Sequence, residues 1–479
     1  MGLPSSTSNL SGGVSQDYAD DVTRHSRVLL VAIIVTFVAF LDGAVINVAL
    51  PAISRDLGGG LVVQQWVVDG YLITLGAFIL IAGSLSDSYG RLRVMRIGLY
   101  GFGITSLLCA LAPTDLFLVV SRILQGATAA LLVPSSLALI ISTFAPAEQG
   151  KAIGRWTAWT TAAFVAGPLL GGFLVDAVSW RLIFAINILP IAWALWLMRR
   201  LGRDELGATH ERIDYVGATL GVLGLGGPVF ALIEQERFGW SSPVIYLPLI
   251  LGLLCFAAFI WWEHRTPEPM MPLPMFRIRN FGMGNLATFF IYAAFAFGPF
   301  AITVFVQEVG GYTALEAGLA TLPTVILLIV LASYFGGLAG RFGPRLFMTV
   351  GPVVCAVGYL LTLTVTSAVY FWTQLLPGVL VIGLGMAITV APLTSAILGA
   401  VDPARAGIGS AINNAVARIA GLIAVACTGI IVGTGLNDLA GYHRAAWASA
   451  LFLIVGGVIS FVGIRNPQRS TVIEPVEIQ

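Results

Sequence analysis

Three ionisable side chains inside long apolar segments are the residues of this sequence best suited to chemistry. Asp42, Asp69 and Arg122 are each flanked by aliphatic and aromatic residues. A charge in such a segment is costly unless it faces a wet cavity, finds a partner or, for an acid, binds a proton. We therefore expect Asp42 to point into the protein and to bind a proton or a cation. A structural cap or a fixed ion pair is the alternative.

The depth of Arg122 along its segment is compatible with that of Asp42. A rise of 1.5 Å per residue places Arg122 about 9 Å into its helix and Asp42 about 22 Å along the first one. An unpaired guanidinium at that depth needs a carboxylate or several carbonyl groups. The sequence thus predicts a pair that a proton arriving at Asp42 would break, with a static bridge as the other interpretation. Gln125, Gly126 and Ala129 share the helix face of Arg122 and would let a neighbouring helix approach closely.

The acid of the second apolar segment, Asp69, lies between Trp66 and Tyr71. The segment boundaries place it about one turn below the membrane surface. It could bind a proton or a cation, or it could be an ordinary hydrated vestibule residue. Two acids near one low-dielectric chamber would attract lipophilic cations, which gives a hypothesis for the class of ligand.

Membrane-spanning helices are the elements that must position these residues. Of the 479 residues, 57% are hydrophobic and only 10% are charged, where a soluble domain has about 25% charged residues. The predicted fold class is an all-α polytopic membrane protein with fourteen spans of about 20 residues each. The apolar segments lie at residues 28–50, 65–85, 95–113, 116–142, 152–176, 180–198, 214–233, 243–263, 281–307, 315–338, 346–367, 371–398, 406–433 and 444–464.

The positive charges predict which ends of the helices face the cytoplasm. With the N-terminus inside, four of the 25 Lys and Arg residues fall in outer loops, two fall within helices, and the other nineteen are cytoplasmic. Cytoplasmic loops are enriched in Lys and Arg. Both termini are therefore predicted to be cytoplasmic, in a multi-pass protein of the inner cell membrane.

An internal repeat predicts two halves with an insertion between them. The segment from Gly83 to Arg91 resembles the segment from Gly336 to Pro344, 253 residues later, whereas six spans with their loops occupy only about 185 residues. The architecture therefore reads as six, two and six helices. Its predicted parts are a cytoplasmic tail (1–26), a first six-helix bundle (27–198), a cytoplasmic linker (199–213), two inserted helices (214–263), a second cytoplasmic linker (264–280), a second six-helix bundle (281–464) and a cytoplasmic tail (465–479). The polar, acidic composition of residues 1–23 predicts disorder there.

Composition and motifs exclude several classes of function. A net charge of +1 provides no basic surface for nucleic acid. The four cysteines lie in apolar stretches and the four histidines lie in a tail or in loops, without the spacing of a disulfide framework or a metal site. No nucleotide-binding loop occurs, so ATP is not the expected energy source. We predict no cofactor, no metal and no enzymatic activity; a membrane-embedded enzyme or receptor is the disfavoured alternative from another class.

Several segments together carry a resemblance to a known family. They are Leu41–Pro51, Gly83–Arg91, Leu118–Gly126, Ala163–Gly172, Val306–Pro323 and Gly409–Arg418. Each is a weak motif alone, but their order and their positions on the spans resemble the major facilitator superfamily, specifically its fourteen-span drug:proton antiporters. The resemblance covers both halves and implies two six-helix bundles plus two inserted helices.

The resemblance also implies roles for individual residues. Asp42, Arg122 and Asp69 would couple transport to protons. A cytoplasmic gate would use Gly83, Asp87, Gly90 and Arg91, in which the Asp87 carboxylate accepts hydrogen bonds from a helix N-terminus of the other half. The antiporter motif would pack against the opposite half and would also flex. Its residues are Gly167, Pro168, Gly171 and Gly172. A role in packing alone is the competing interpretation. Substrate would contact Asp42, Asp69, Tyr71, Gln125, Trp159, Tyr292, Gln307 and Asn413, whereas such aromatic and amide residues are often core or lipid-facing.

The predicted function is proton-coupled export of amphipathic drugs or toxic compounds across the cytoplasmic membrane by alternating access, with cations as the hypothesised substrate class. The expected partners are a small amphipathic substrate, protons and the lipid bilayer, and we expect a monomer. Moving one charge through 100 mV supplies about 2.3 kcal/mol, so one titrating acid is energetically sufficient. The alternatives with the same fold are export of a lipid, an endogenous metabolite or an antibiotic, and uptake by symport.

Overall fold

The computed structural model describes residues 10–201, 214–402, 405–433, 436 and 438–466, with side chains from residue 24 onward except those of 87, 146, 147 and 406. Almost all of this part is helical. The helices are α1 (Leu10–Leu57), α2 (Gly60–Tyr89), α3 (Arg91–Ala110), α4 (Asp115–Ala129), α5 (Leu132–Thr143), α6 (Pro146–Ala177), α7 (Leu182–Ala185), α8 (Ile188–Arg199), α9 (Tyr215–Phe238), α10 (Pro243–Arg265), α11 (Arg279–Glu308), α12 (Ala314–Phe342), α13 (Pro344–Leu361), α14 (Leu376–Leu398), α15 (Ala406–Ala426), α16 (Thr428–Val432) and α17 (Leu439–Gly463).

Fourteen stretches of the described chain are long and apolar enough to cross a membrane, which confirms the predicted number of spans. Two of them are built from two helices each: α4 with α5, and α7 with α8. The prediction was too short for the first span, because α1 continues past Pro51 to Leu57. The expected disorder of the N-terminal tail was wrong for residues 10–23, which form the start of α1; residues 1–9 lie outside the described part.

The internal repeat is visible in the backbone. Gly90 separates α2 from α3 at φ 92°, and Gly343, 253 residues later, separates α12 from α13 at φ 87°. Glycine is the residue that adopts positive φ without a steric penalty. The two copies therefore make the same tight connection between two antiparallel spans.

Each half of the molecule has its own apolar core, and a third cluster joins the two. One cluster draws on α11, α12, α13, α14, α15 and α17, and another draws mainly on α1, α2, α3, α5 and α8. The joining cluster includes Leu41 and Val45 of α1, Phe297 and Phe300 of α11, and Ala420 of α15. Helices α1, α11 and α15 therefore line the seam between the halves.

The inserted helices α9 and α10 pack against each other, and α9 also packs against both halves. Glycines of α9 lie against α10, so a Cβ on Gly224 would meet the backbone of Phe256 at 3.0 Å. Val229 and Ile233 of α9 pack in one cluster with Ile73 of α2 and Leu422 of α15. The insertion thus covers the α2–α15 side of the seam.

Side-chain hydrogen bonds connect the two halves at one membrane end. We call this the first-loop end, because the loop between α1 and α2 (residues 58 and 59) lies there. The Gln65 amide of α2 donates to the carbonyls of Val425 (2.8 Å) and Ala426 (3.0 Å). At the same end, Asp176 accepts from the backbone of Ala314 and Leu315. The positive charges predict that this end is extracellular.

Candidate transport site

A buried polar network surrounds Asp42 in the middle of α1. Its carboxylate is 1% exposed and accepts from Arg122 Nη1 (2.7 Å), from Gln125 Nε2 (3.1 Å) and from Asn187 Nδ2 (3.0 Å). Donors alone surround it, and they suit an ionised carboxylate, which can only accept. The predicted inward orientation of Asp42 is therefore present.

Arg122 of α4 forms the predicted ion pair with Asp42 and is fixed from two further sides. Its Nε donates to the backbone carbonyl of Val67 in α2 at 2.9 Å, and its Nη1 also donates to the side-chain Oε1 of Gln125 at 2.7 Å. The guanidinium carbon lies 4.3 Å from the centre of the Tyr71 ring, a cation–π distance. Such a desolvated pair is expensive to break by removing one partner.

Asn187, at the junction of α7 and α8, is a member of the network that the sequence interpretation missed. It is fully buried, and its amide also donates to Ser106 Oγ of α3 at 3.4 Å, which Gln125 Nε2 contacts at 2.9 Å. The available signal was a lone amide in the apolar run from Phe184 to Pro190. A single Asn in a span is a weak pattern, whereas in the fold it completes the set of donors around the acid.

Close packing of α4 on α2 holds the network in place. A Cβ on Gly126 would clash with the backbone carbonyl of Tyr71 and with the Thr74 hydroxyl, and that hydroxyl donates to the carbonyl of Ile123 at 2.6 Å. Only a residue without a side chain permits this approach. The close helix contact predicted for Gly126 is therefore present.

Asp69 is deeper than the sequence interpretation placed it. It lies about 14 Å along α2 from Gly60, not one turn below the surface. The residue is fully buried, and neither carboxylate oxygen has a hydrogen-bond partner among the described residues. It lies close enough to Cys427, beyond the end of α15, to interact electrostatically. The expectation of a hydrated vestibule residue was wrong, because the second half and the inserted helices cover this face of α2.

A cavity of about 180 Å³ lies between the halves beside the network. Its wall is mostly aliphatic and aromatic, with a few polar groups from both halves, as in small-molecule sites. The lining residues are Ala39, Phe40, Gly43, Ile46, Asn47, Val68, Tyr71, Leu72, Leu75, Ile79, Arg122, Ala129, Val133, Phe164, Phe295, Ala296, Phe300, Asn414, Arg418 and Val425. Of the residues predicted to contact substrate, Tyr71 lines this cavity.

The other predicted substrate contacts lie outside the cavity lining. Asp42, Asp69 and Gln125 are buried behind it. Trp159 of α6 is 57% exposed, and Gln307 donates to the backbone carbonyl of Thr303 within α11. Asn413 donates to Asn285 (3.1 Å) and Thr288 (3.0 Å), so it ties α15 to α11. Tyr292 packs between the core of the second half and the seam cluster.

The residues of the predicted cytoplasmic gate lie where α2 meets α3. Gly83 is in the last turns of α2, Gly90 is the positive-φ connection, and Arg91 starts α3. The side chain of Asp87 lies outside the described part, so its expected contact with the other half stays a prediction. A carboxylate that contacts a helix N-terminus of the other half is present at the opposite membrane end, in Asp176.

The antiporter motif of α6 lies between α1 and α12. Gly167 lies against Ala44 of α1, and Gly171 is close to Val45 and Val48. Across the seam, a Cβ on Gly172 would meet the backbone of Leu315. Conversely, a Cβ on Gly318 would meet the carbonyl of Pro168. The predicted close contact with the opposite half is present, which leaves flexing of the Pro168 region as the untested part.

Comparison with known proteins gives the site a context. The family model described as Major Facilitator Superfamily matches residues 32–212 and 213–425. The chain is 31% identical to the methylenomycin A resistance protein of Bacillus subtilis, covering 91% of this chain and 92% of that protein. It is 34% identical to the multidrug resistance protein Stp of Mycobacterium tuberculosis, covering 86% and 77%. In fold it resembles an inward-facing bacterial homologue of the lysosomal transporter Spinster, with a TM-score of 0.67 at 17% identity over 92% of this chain and 97% of that one.

Proposed function

Because the chain belongs to the major facilitator superfamily and is a transporter rather than an enzyme, we propose that it exports amphipathic compounds in exchange for protons. Relatives that are named for resistance to antibiotics and for multidrug resistance support export. The observation that carries the coupling is the buried carboxylate of Asp42, which three donors surround. Protonation of an acid that is held this way can change the packing of α1, α4 and the span formed by α7 and α8.

Protonation of Asp42 is the proposed coupling step. A neutral carboxyl keeps one acceptor oxygen but no longer neutralises Arg122, whose charge is fully desolvated. Arg122 lines the cavity whereas Asp42 lies behind it, so the freed guanidinium can turn toward the cavity. Arg122 also bonds to Val67 of α2 and Gln125 of α4, so its movement would displace both helices. Of these two helices, α2 packs against the other half.

Asp69 is proposed as a second proton carrier. An ionised carboxylate there would be buried without a donor or a counter-ion, which is the costly arrangement. In this conformation we therefore assign it a proton. Because α2 packs against α15 of the other half, separation of the halves would hydrate Asp69 and release that proton.

The distribution of charge and the contacts between the halves support a proposed orientation and two proposed gates. Both termini lie in the cytoplasm, as the excess of Arg and Lys at that side predicts. The first-loop end is then the extracellular gate, closed here by the contacts of Gly172 and Asp176 with α12. Gly83, Asp87, Gly90 and Arg91 serve the cytoplasmic gate. We propose a monomer that works in the inner membrane.

Transport in proteoliposomes tests the coupling. The probe is N-phenyl-1-naphthylamine, a neutral amphipathic dye, and the driving force is an imposed pH gradient. Asp42→Asn should reduce gradient-driven dye transport at least 10-fold, while Asp56→Asn on the same helix should not, because Asp56 pairs with Arg181 at an exposed site. Wild-type rates in Asp42→Asn, at equal protein content, would remove proton coupling from Asp42.

A further inference from the structure

Arg418 of α15 brings a second guanidinium into the cavity between the halves. Two charged residues contribute to the lining within the described part of the chain, Arg122 and Arg418, and neither Asp nor Glu is among them. Arg122 is neutralised by Asp42 at 2.7 Å. The charge of Arg418 therefore determines the electrostatic character of the cavity.

Arg418 has no ion-pair partner and no hydrogen-bond partner among the residues that the structure describes. Its guanidinium carbon lies 5.8 Å from the centre of the Phe40 ring, and it interacts electrostatically with the hydroxyls of Tyr71 and Tyr292. An aromatic face stabilises a cation, but it leaves the N–H donors of the guanidinium unused. The guanidinium therefore lies near aromatic rings, and its N–H groups are available to a ligand.

The surroundings of Arg418 define the chemistry of a ligand that would fit. A guanidinium offers paired N–H groups that match the two oxygens of a carboxylate or sulfonate. Phe40 and Tyr71 supply flat apolar surfaces beside it, and Asn47 and Asn414 add amide groups to the same wall. A flat apolar body with one acidic group satisfies all of these contacts at once.

We propose that Arg418 is the anion-binding residue of the transport site and that the exported compounds are amphipathic organic acids. This proposal rests on the proposed function, because it assumes that the cavity binds the cargo. It replaces the cationic substrate class that Asp42 and Asp69 suggest in the sequence. One of these acids is occupied by Arg122, and neither reaches the cavity lining.

Two dyes that share one aromatic core separate charge from hydrophobicity. The anion 8-anilino-1-naphthalenesulfonate differs from neutral N-phenyl-1-naphthylamine by its sulfonate. Binding to the full-length protein in nanodiscs is measured by equilibrium dialysis against empty nanodiscs. Wild-type protein should bind the anion at least 10-fold more tightly than the neutral dye. Arg418→Gln should lose that preference, and Arg418→Lys should keep most of it.

Three outcomes would overturn the proposal. In the first, the wild-type protein binds the cation ethidium more tightly than the anion. In the others, Arg418→Gln either keeps the anion preference unchanged or loses affinity for both dyes equally. The last outcome would mark Arg418 as structural. Gradient-driven transport of the neutral dye reports separately on the proposed function. Wild-type protein that moves this dye but shows no anion preference would reject the acid-binding proposal while leaving proton-coupled export in place.

Discussion

The carboxylate of Asp176, at the end of α6, accepts a hydrogen bond of 2.8 Å from the backbone N–H of Leu315, in the first turn of α12. A second bond of 3.1 Å comes from the N–H of Ala314. The two helices belong to different halves, so these bonds connect the halves directly. The N-terminus of α12 has free N–H groups and a partial positive charge, which makes Asp176 a latch at the first-loop end.

Removing this latch should favour the conformation that is open at the first-loop end. A carboxylate at a helix N-terminus contributes about 0.3–1 kcal/mol, and up to about 2 kcal/mol in favourable geometry. Asp176→Ala should therefore shift the population of the open form about 2-fold to 5-fold. Spin-label distances between α6 and α12 measure that shift.

The matched control for the latch is Glu316→Ala. Glu316 belongs to the capping box of the same helix end, with Thr313, and its hydrogen bonds to described residues stay within its own half. It should weaken the start of α12 without changing the distance distribution between the halves. Equal shifts in the two variants would assign the effect to helix fraying and not to the latch.

Asn187 provides a test of the buried network that is independent of Asp42 itself. Asn187→Leu removes one of three donors to the carboxylate and keeps the volume similar. A hydrogen bond to a charged group contributes about 1.5–3 kcal/mol, and the substitution leaves the Asp42 carboxylate with two donors. The free energy of unfolding should fall by that amount, and gradient-driven transport in proteoliposomes should fall about 10-fold. Thermal unfolding and transport rates measure the two effects.

Asn285→Leu is the control for that loss of transport. Asn285 is also a buried amide, but it bonds to Phe281 and Asn413 in the second half. It should lower stability and leave gradient-driven transport at the wild-type rate. A wild-type transport rate in Asn187→Leu would show that this amide does not act on Asp42.

The Asp42–Arg122 pair could be predicted because both residues are expensive in an apolar span and lie at matching depths. The number of spans could be predicted because apolar length alone determines it. Asn187 could not, because a neutral amide carries little penalty and its partner is 145 residues away in the chain. The burial of Asp69 could not be predicted, because the sequence does not show that α9 and α15 cover this face of α2.

Gly126 tests whether close packing of α4 on α2 is required. A Cβ at this position would overlap the backbone carbonyl of Tyr71, and backbone cannot move aside as a flexible side chain can. Gly126→Ala should cost about 1–3 kcal/mol of stability and should disturb the bond from Arg122 to Val67. Thermal unfolding of the purified protein and transport rates measure the two effects.

Gly154→Ala is the comparison for Gly126. Gly154 lies within α6 with nothing near its missing Cβ, so alanine there should stabilise the helix by about 0.8–1 kcal/mol. The two variants should therefore move the melting temperature in opposite directions. A Gly126→Ala protein as stable and active as the wild type would show that α2 and α4 can separate at no cost.

Gly90 and Gly83 distinguish a backbone requirement from a packing requirement within the predicted cytoplasmic gate. Gly90 has φ 92° and ψ 132°, a conformation that costs any other residue about 1–3 kcal/mol. Gly83 is helical with nothing near its missing Cβ, so alanine there should stabilise α2 by about 0.8–1 kcal/mol. Gly90→Ala should lower the melting temperature and Gly83→Ala should raise it. If Gly83→Ala instead abolishes transport in a protein of raised stability, Gly83 must contact the other half in a different conformation. That result would support its gating role and not a structural one.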